Sequence, residues 1–357
     1  MGLKILHSAD WHLDSPFAGF TEQQRQFLKA EQQKIPGKIT QLCIREDCDM
    51  MLLAGDIFDD EPTRETLDIL KRELESCGVP VLIAPGNHDF CNEGSHWREE
   101  RWPENVFVFT GGLESVTIQG LNCRIYGAGF QSMDSSALLE GFQAEGDEKY
   151  CIAVLHGDPM QRNSPYNPVT SAQVRNSCLD YLALGHVHKA GAFRSGETLC
   201  AWPGCPMGRG YDETGEKGVL LVELAETVET EFISLGLPCF YDLQTDAGSN
   251  PAAAVARLLP PAGSDDYYRI TLTGYADNVD TVQLCAKFNN YPHLQLRDKT
   301  VPEADLWGAA GEDSLEGLYF GMLRCAANGQ NEESRRRAIL AAQISRQILD
   351  GQEVKLP

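Results

Sequence analysis

Short apolar runs alternate with helically spaced segments over the first 90 residues. Leu3–Ala9 (LKILHSA), Met50–Asp56 (MMLLAGD) and Val79–Asp89 (VPVLIAPGNHD) read as strands, the last running into a loop. Between them, Thr21 to about Glu46 and residues 63–77 carry helical spacing, with a break or kink at Pro36 and Gly37. Such alternation predicts stacked βα units, not a β sandwich. Further strand-like runs follow: NVFVFT, LESVTI, NCRIYGAG, YCIAVLHGD, YLALGH, ETLCAWPG, KGVLLVEL and TVETEFISL. Their short connections predict antiparallel pairing. The expected result is an α/β fold with two sheets in a four-layer αββα core, residues 1–236. GLPCFYDLQTDAG reads as a boundary. Residues 241–300 then run strand, helix, strand, helix, strand, enough for a small α+β domain. From Val301 to residue 357 the tail reads as helical, with Leu315, Leu318, Met322 and Leu323 on one face and Leu340, Ile344 and Ile348 on another.

Composition narrows the class. The chain has 357 residues, 42% hydrophobic and 23% charged, which is ordinary for a globular protein with a substantial core. No run reaches the ~18 apolar residues of a membrane span, and MGLKILHSAD lacks the pattern of a secretory signal. The twelve cysteines are scattered, with no C-x-x-C pair, and read as reduced, partly buried thiols of a cytoplasmic protein. The formal charge of −22 opposes free, non-specific binding to nucleic acid, although bound cations would offset part of it.

The chemistry collects where the strands end. The first gives Asp10 and His12, the second Asp56, the third Asn87 and His88. YCIAVLHGD gives His156, and YLALGHVH gives His186 and His188. In open α/β sheets the binding crevice forms at these ends. A shell of imidazole, carboxylate and amide without cysteine suits a divalent transition metal and not a structural zinc finger. Asp10 and His12 are two residues apart and can point the same way, as can His186 and His188. A carboxylate has two oxygens, and Asp56, following a glycine, is the natural bridge between two ions. Two ions about 3.5–4 Å apart would clamp a phosphate and activate water for in-line attack.

Five blocks in order, DWH, GDIFD, GNHD, LHGD and GHVH, resemble the calcineurin-like metallophosphoesterase superfamily. ILHSADWHLDSPF and WPGCPMGRGYDETGEKGVLLVEL are similar in detail to the SbcD-type DNA repair nucleases, in their YhaO-like branch. The resemblance covers residues 3–235 firmly and 241–357 thinly. It implies that Asp10, His12, Asp56 and His188 hold one metal, and that Asp56, Asn87, His156 and His186 hold a second. It implies that His88 is not a ligand but faces the scissile phosphate as proton donor or stabiliser, oriented by Asp89, with Asp59 orienting a ligand. The family commonly uses two manganese ions; the residue types alone leave iron and zinc open. The small domain matches the position of the family's capping domain. DNA is the implied substrate and an SMC-like coiled-coil ATPase the implied partner, docked through helices near 314–327 and 332–350. Family members also often form homodimers.

Other readings compete. The same centre would serve a small-molecule or cyclic-nucleotide phosphodiesterase, or a phosphatase, and the acidic surface favours these. A third alternative is an assembly subunit with a vestigial metal site, against which the intact His88 speaks. His7 reads as a hydrogen-bonded core histidine, His96 and His293 as surface residues, and Trp11 as packing. Asp14 reads as a turn-former, and Asp59 equally as a helix-entry carboxylate. Arg162 and Arg209 could touch phosphate but read more simply as solvated charges, as do Arg335, Arg336 and Arg337.

Overall fold

Parallel strands need crossover connections, and the helices of the first half supply them. A computed structural model describes residues 2–276, 279–301, 306–351 and 354, and divides the chain into two compact units, Met1–Cys239 and Phe240–Pro357. The first unit contains β1 (Leu3–Ser8), β2 (Met50–Leu53), β3 (Val81–Ile83), β4 (Val106–Val108), β5 (Glu114–Ile118), β6 (Cys123–Gly127), β7 (Tyr150–His156), β8 (Tyr181–Gly185), β9 (Lys189–Ser195), β10 (Thr198–Gly204), β11 (Gly218–Leu224) and β12 (Val228–Ser234). Its helices are α1 (Glu22–Gln32), α2 (Ile35–Arg45), α3 (Arg64–Ser76), α4 (His96–Glu99) and α5 (Ser171–Asn176).

The strands form two six-stranded sheets, ordered β12-β11-β1-β2-β3-β4 and β5-β6-β7-β8-β10-β9. In each, four consecutive strands are parallel, β1 to β4 in one and β6, β7, β8 and β10 in the other. Alternate residues of both sheets meet in one core: Leu3, Ile5, Met50 and Leu52 from the first, Ile125, Ile152, Val154 and Ala183 from the second. The opposite faces are buried too. Val174 of α5 packs with Leu155, Leu182 and Leu184 on the second sheet. On the first, Leu6, Met51, Leu53 and Ile83 are fully buried. The apolar stripes of α1, α2 and α3 are buried through Leu28, Ile39 and Leu70, among others. Burial on both faces explains why these strands read as continuous apolar runs.

Two expectations change in detail. The helical segment breaks at Gln33 and Lys34, and Pro36 lies in the first turn of α2, where its missing N–H costs nothing. Strand β9, KAGAFRS, is not evident from the sequence, because it is a sheet edge with mostly exposed residues. It hairpins onto β10, which pairs with β8 in parallel; β6–β7 and β7–β8 are parallel too, so among the described residues the expected antiparallel pairing is found only at β5–β6, β9–β10, β11–β12 and β1–β11.

The second unit holds β13 (Phe240–Asp246), α6 (Pro251–Ala256), β14 (Tyr267–Thr273), α7 (Thr281–Cys285) and β15 (Leu294–Asp298), whose strands form a parallel sheet. Its helices α8 (Leu315–Ala327) and α9 (Glu332–Leu349) pack on each other through Phe320 and Ala342. The expected tail residues 302–305, 352, 353 and 355–357 lie outside the described residues. The leucine face of α8 points outward: Leu315, Leu318 and Met322 are 86%, 67% and 75% exposed. Arg336 and Arg337 pair with Glu332 and Glu333 one turn earlier, a solvated helix face.

One contact brings the two sheets together at the end that carries the polar residues. A Cβ on Gly185, the last residue of β8, would lie 1.9 Å from the Ala54 carbonyl just beyond β2. Only hydrogen fits there, so the His186–His188 loop lies against the Asp56 loop. His7 ties the sheets further, its ring nitrogens 2.7 Å from Tyr181 Oη and 3.1 Å from the Leu184 carbonyl.

His96 is not a surface residue. It is buried edge-on to Phe58, with ring centroids 4.7 Å apart, and neither ring nitrogen has a hydrogen-bond partner among the described residues. His293, also expected on the surface, is half-buried and stacks on Tyr267. Burial pushes the His96 imidazole down to about 4. Between pH 6.5 and about 4 the unfolded chain therefore takes up a proton that the folded chain refuses, and stability falls as pH falls. His96→Phe is expected to flatten this decline by up to about 1.4 kcal/mol per pH unit, read from urea unfolding. Parallel wild-type and variant profiles would contradict the burial argument.

Candidate metal centre

The loops that leave the strand ends are held in backbone conformations that most residues avoid. Asp10, His12, Asp56 and His186 have φ values of 54°, 46°, 50° and 89°. Each such residue costs on the order of 1–3 kcal/mol and persists where its surroundings enforce it. Backbone pairing does so here: Asp10 N donates to the Gly55 carbonyl at 3.0 Å, and His12 N to the Asp56 carbonyl at 2.9 Å. Gly55 precedes Asp56 with φ 89°, and a Cβ there would lie 2.4 Å from His156 Nδ1.

The side chains converge on two foci. At the first, His12 Nε2 lies 3.2 Å from His188 Nε2. At the second, Asn87 Oδ1 lies 3.0 Å from His156 Nε2 and 3.2 Å from His186 Nδ1. Asp56 joins them, with Oδ2 3.3 Å from His156 Nε2 and 3.8 Å from His12 Nε2, while Oδ1 accepts the His88 N–H at 2.9 Å. Asp10 is fully buried beside both, accepting the His186 N–H at 2.9 Å and 3.9 Å from His156 Nδ1. Donor atoms of Asp10, His12 and His188, of Asp10, Asp56 and His156, and of His12, Asp56 and His88 each fall within 4.8 Å of one another. The third triad makes His88 geometrically able to act as a ligand.

Ring tautomers test whether this set fits metal. His156 Nδ1 lies 2.9 Å from the Ala54 carbonyl, and His188 Nδ1 lies 2.7 Å from Glu213 Oε1, so both Nδ1 atoms carry protons. His12 Nδ1 sits 3.0 Å from Asp59 Oδ1, an ion-pair contact rather than an aligned hydrogen bond. When these rings are neutral their Nε2 atoms are lone pairs, aimed at another imidazole or at carboxylate and amide oxygens. Acceptors that face acceptors in a buried site require a positive charge between them. Separations near 3 Å also suit neighbouring donors about one ion with bonds of about 2.1 Å. The donor set fits divalent metal.

The electrostatics agree. Burial pushes the Asp56 carboxyl up, but the charge and hydrogen bond of His156 and the charges of His12 and His88 outweigh it and hold it far below its ordinary range. Burial lowers His156, yet Asp56 and Asp10 raise it to about 9. The site attracts a proton for the reason it would attract a cation.

Asp89 does not orient His88. Its Oδ2 accepts from Ile57 N at 2.8 Å and Phe58 N at 3.3 Å, and its Oδ1 from Gly86 N at 2.7 Å. It stitches the β2 and β3 loops together. The exposed His88 is positioned instead by Asp59, whose backbone carbonyl lies 3.0 Å from His88 Nδ1. Asp14 is a helix-entry residue, accepting from Thr63 N and Thr66 Oγ1 at 2.7 and 2.8 Å. Trp11 is buried and donates to Ser8 Oγ at 2.8 Å, consistent with packing.

Sequence reasoning missed Glu213 and Asn167. Glu213 is buried beneath His188; burial pushes its carboxyl up, but hydrogen bonds from His188 and Arg209 and the Arg209 charge hold it far below the ordinary range. It lies in RGYDETGEKG, a stretch whose resemblance is visible but whose spacing assigns no role. Asn167 is buried with φ 45° and donates to the His156 carbonyl at 2.8 Å, fixing the end of β7. Nothing in its local sequence marks it. Arg209 is not a freely solvated charge: it reaches Asp59 Oδ1 and Glu213 Oε1, each at 2.7 Å.

A model of the calcineurin-like phosphoesterase family matches residues 3–190, more than half of the chain, and the chain belongs to that family of phosphoester hydrolases. It is 32% identical over 239 residues to the uncharacterised metallophosphoesterase YhaO of Bacillus subtilis, an alignment covering 62% of this chain and 57% of YhaO. It is 32% identical over 105 residues to SbcD, a component of the nuclease SbcCD, from Staphylococcus epidermidis, covering 27% of this chain and 26% of that protein. The chain thus matches little more than half the length of one relative and about a quarter of the other. A dimetal phosphatase structure from Danio rerio aligns over 65% of this chain and 99% of that chain at 13% identity, with a TM-score of 0.41.

If Asp89 is a structural stitch, Asp89→Asn replaces one acceptor oxygen with a donor facing backbone N–H groups. The metal-free variant is expected to lose about 1–3 kcal/mol in urea unfolding. Unchanged stability with lost activity would restore the orienting role.

Proposed function

We propose that the chain is a two-metal phosphodiesterase that cleaves DNA. Asp10, His12, Asp56 and His188 would hold one divalent ion; Asp56, Asn87, His156 and His186 would hold the other, with manganese as the metal. The observation that carries this reading is the position of Asp56 Oδ2 between one imidazole of each focus, 3.3 Å from His156 and 3.8 Å from His12. When bound, such a pair of ions neutralises phosphoryl charge and acidifies a water. The protein's own residues then divide the work. Asp59 fixes the His88 ring through its backbone carbonyl, leaving Nε2 free to give a proton to the leaving oxygen. The buried carboxylates, amide and imidazoles would hold the ions in fixed places relative to that proton.

DNA is favoured by the similarity to SbcD of the SbcCD nuclease and by the ILHSADWHLDSPF stretch. Residues 241–300 would act as a capping domain. The exposed Leu315, Leu318 and Met322 of α8 would dock on an SMC-like ATPase, which would also supply basic surface to a chain of charge −22.

The test strips metal from the protein, restores manganese and adds end-labelled single- and double-stranded DNA, with a generic phosphodiester in parallel. DNA degradation is expected, and His88→Ala and Asp56→Ala should each lower it by at least about 100-fold. Cleavage of the generic ester with DNA untouched, even with the ATPase partner present, would point to a small phosphodiester such as a cyclic nucleotide.

A further inference from the structure

One cation links the outer partners of the first focus. Arg209 Nη1 donates to Asp59 Oδ1 at 2.7 Å, and Nη2 donates to Glu213 Oε1 at 2.7 Å. Its backbone N–H donates to Glu213 Oε2, also at 2.7 Å. Asp59 Oδ1 in turn lies 3.0 Å from His12 Nδ1, and Glu213 Oε1 lies 2.7 Å from His188 Nδ1. Thus one guanidinium grips both carboxylates that back the two imidazoles of that focus. Asp59 also carries the carbonyl that holds His88. Among the described residues the second focus has no such cation: His156 Nδ1 meets the Ala54 carbonyl, with Asp10 Oδ1 3.9 Å away, and His186 meets the Tyr166 ring, with centroids 4.9 Å apart.

We propose that Arg209 is a positioning residue that clamps Asp59 and Glu213 against His12 and His188, presetting these rings for the ion they share. This rests on the two-metal reading above. A planar fork with separate donors spans two carboxylates at once, which a lysine ammonium on a flexible stem does less well. The arrangement also solves a charge problem. Glu213 is buried and Asp59 mostly so, with side chains 7% and 18% exposed, and without Arg209 two anions would crowd the outer side of the rings. Each would then be freer to turn away from its histidine. Partners of this kind are worth about 10–100-fold in metal affinity. The clamp makes the two foci unequal, since only at the first does a guanidinium hold the backing carboxylates in place.

The experiment titrates manganese into metal-free protein by calorimetry, without substrate, for wild type, Arg209→Gln, Arg209→Lys, Glu213→Gln and the Arg209→Gln/Glu213→Gln double variant. Thermal unfolding of each metal-free form runs beside it. Arg209→Gln is expected to weaken the tighter manganese site by about 10–100-fold, Arg209→Lys to recover part of the loss, and the double variant to be little worse than the poorer single one. Wild-type manganese affinity in Arg209→Gln overturns the proposal. So does additive loss in the double variant, or a drop in unfolding temperature with manganese affinity unchanged, which marks a role in stability alone. If the wild type itself binds no manganese, the two-metal reading fails first, a result distinct from equal binding by wild type and variant.

Discussion

An ionised carboxylate that is 2% exposed cannot persist at the junction of two β-sheets without positive charge or donors around it. Asp56 is that group. Its position forces the rest of the centre: an N–H from His88 on one oxygen, imidazoles from two directions on the other, and a loop backbone twisted to φ 50° to aim it inward. The requirement also explains why the candidate ligands come from five separate strand ends. Two sheets whose parallel strands finish on the same side can surround a buried anion, provided they approach closely enough, and Gly185 against the Ala54 carbonyl sets that approach.

The fold follows from burial on both faces of each sheet. Neighbouring parallel strands need crossover connections, and the helices that serve β1 to β4 cover the outer face of that sheet as they cross. This leaves the strand ends as the open, polar side. Strain at Asp10, His12, Asp56 and His186 is tolerated because the packing behind it is dense and the loops are cross-linked by backbone pairing and by the three amides that Asp89 gathers.

What could be read from the chain follows the same physics. The central strands were legible because two-sided burial leaves an unbroken apolar run, whereas β9 was not, because an edge strand with mostly exposed residues resembles a loop. The ligand candidates were legible because each ends its strand or follows it within four residues. The outer partners were hidden. Glu213 and Arg209 reach the centre from a loop after β10, and their roles depend on distances that no spacing encodes. The expected pairing of His88 with its neighbour Asp89 failed because adjacent side chains in a tight loop diverge; the partner comes from Asp59, 29 residues earlier. His96 misled for a related reason: a histidine in a polar stretch reads as exposed, and only the fold brings Phe58 and Trp97 around it.

The most direct test of the central claim, that Asp56 joins two metal sites, is the manganese content and electron paramagnetic resonance of reconstituted protein. Two manganese ions per chain with an exchange-coupled spectrum are predicted, giving way to uncoupled or lost manganese in Asp56→Asn. A single uncoupled ion in the wild type, or a coupled pair that survives Asp56→Asn, would contradict it.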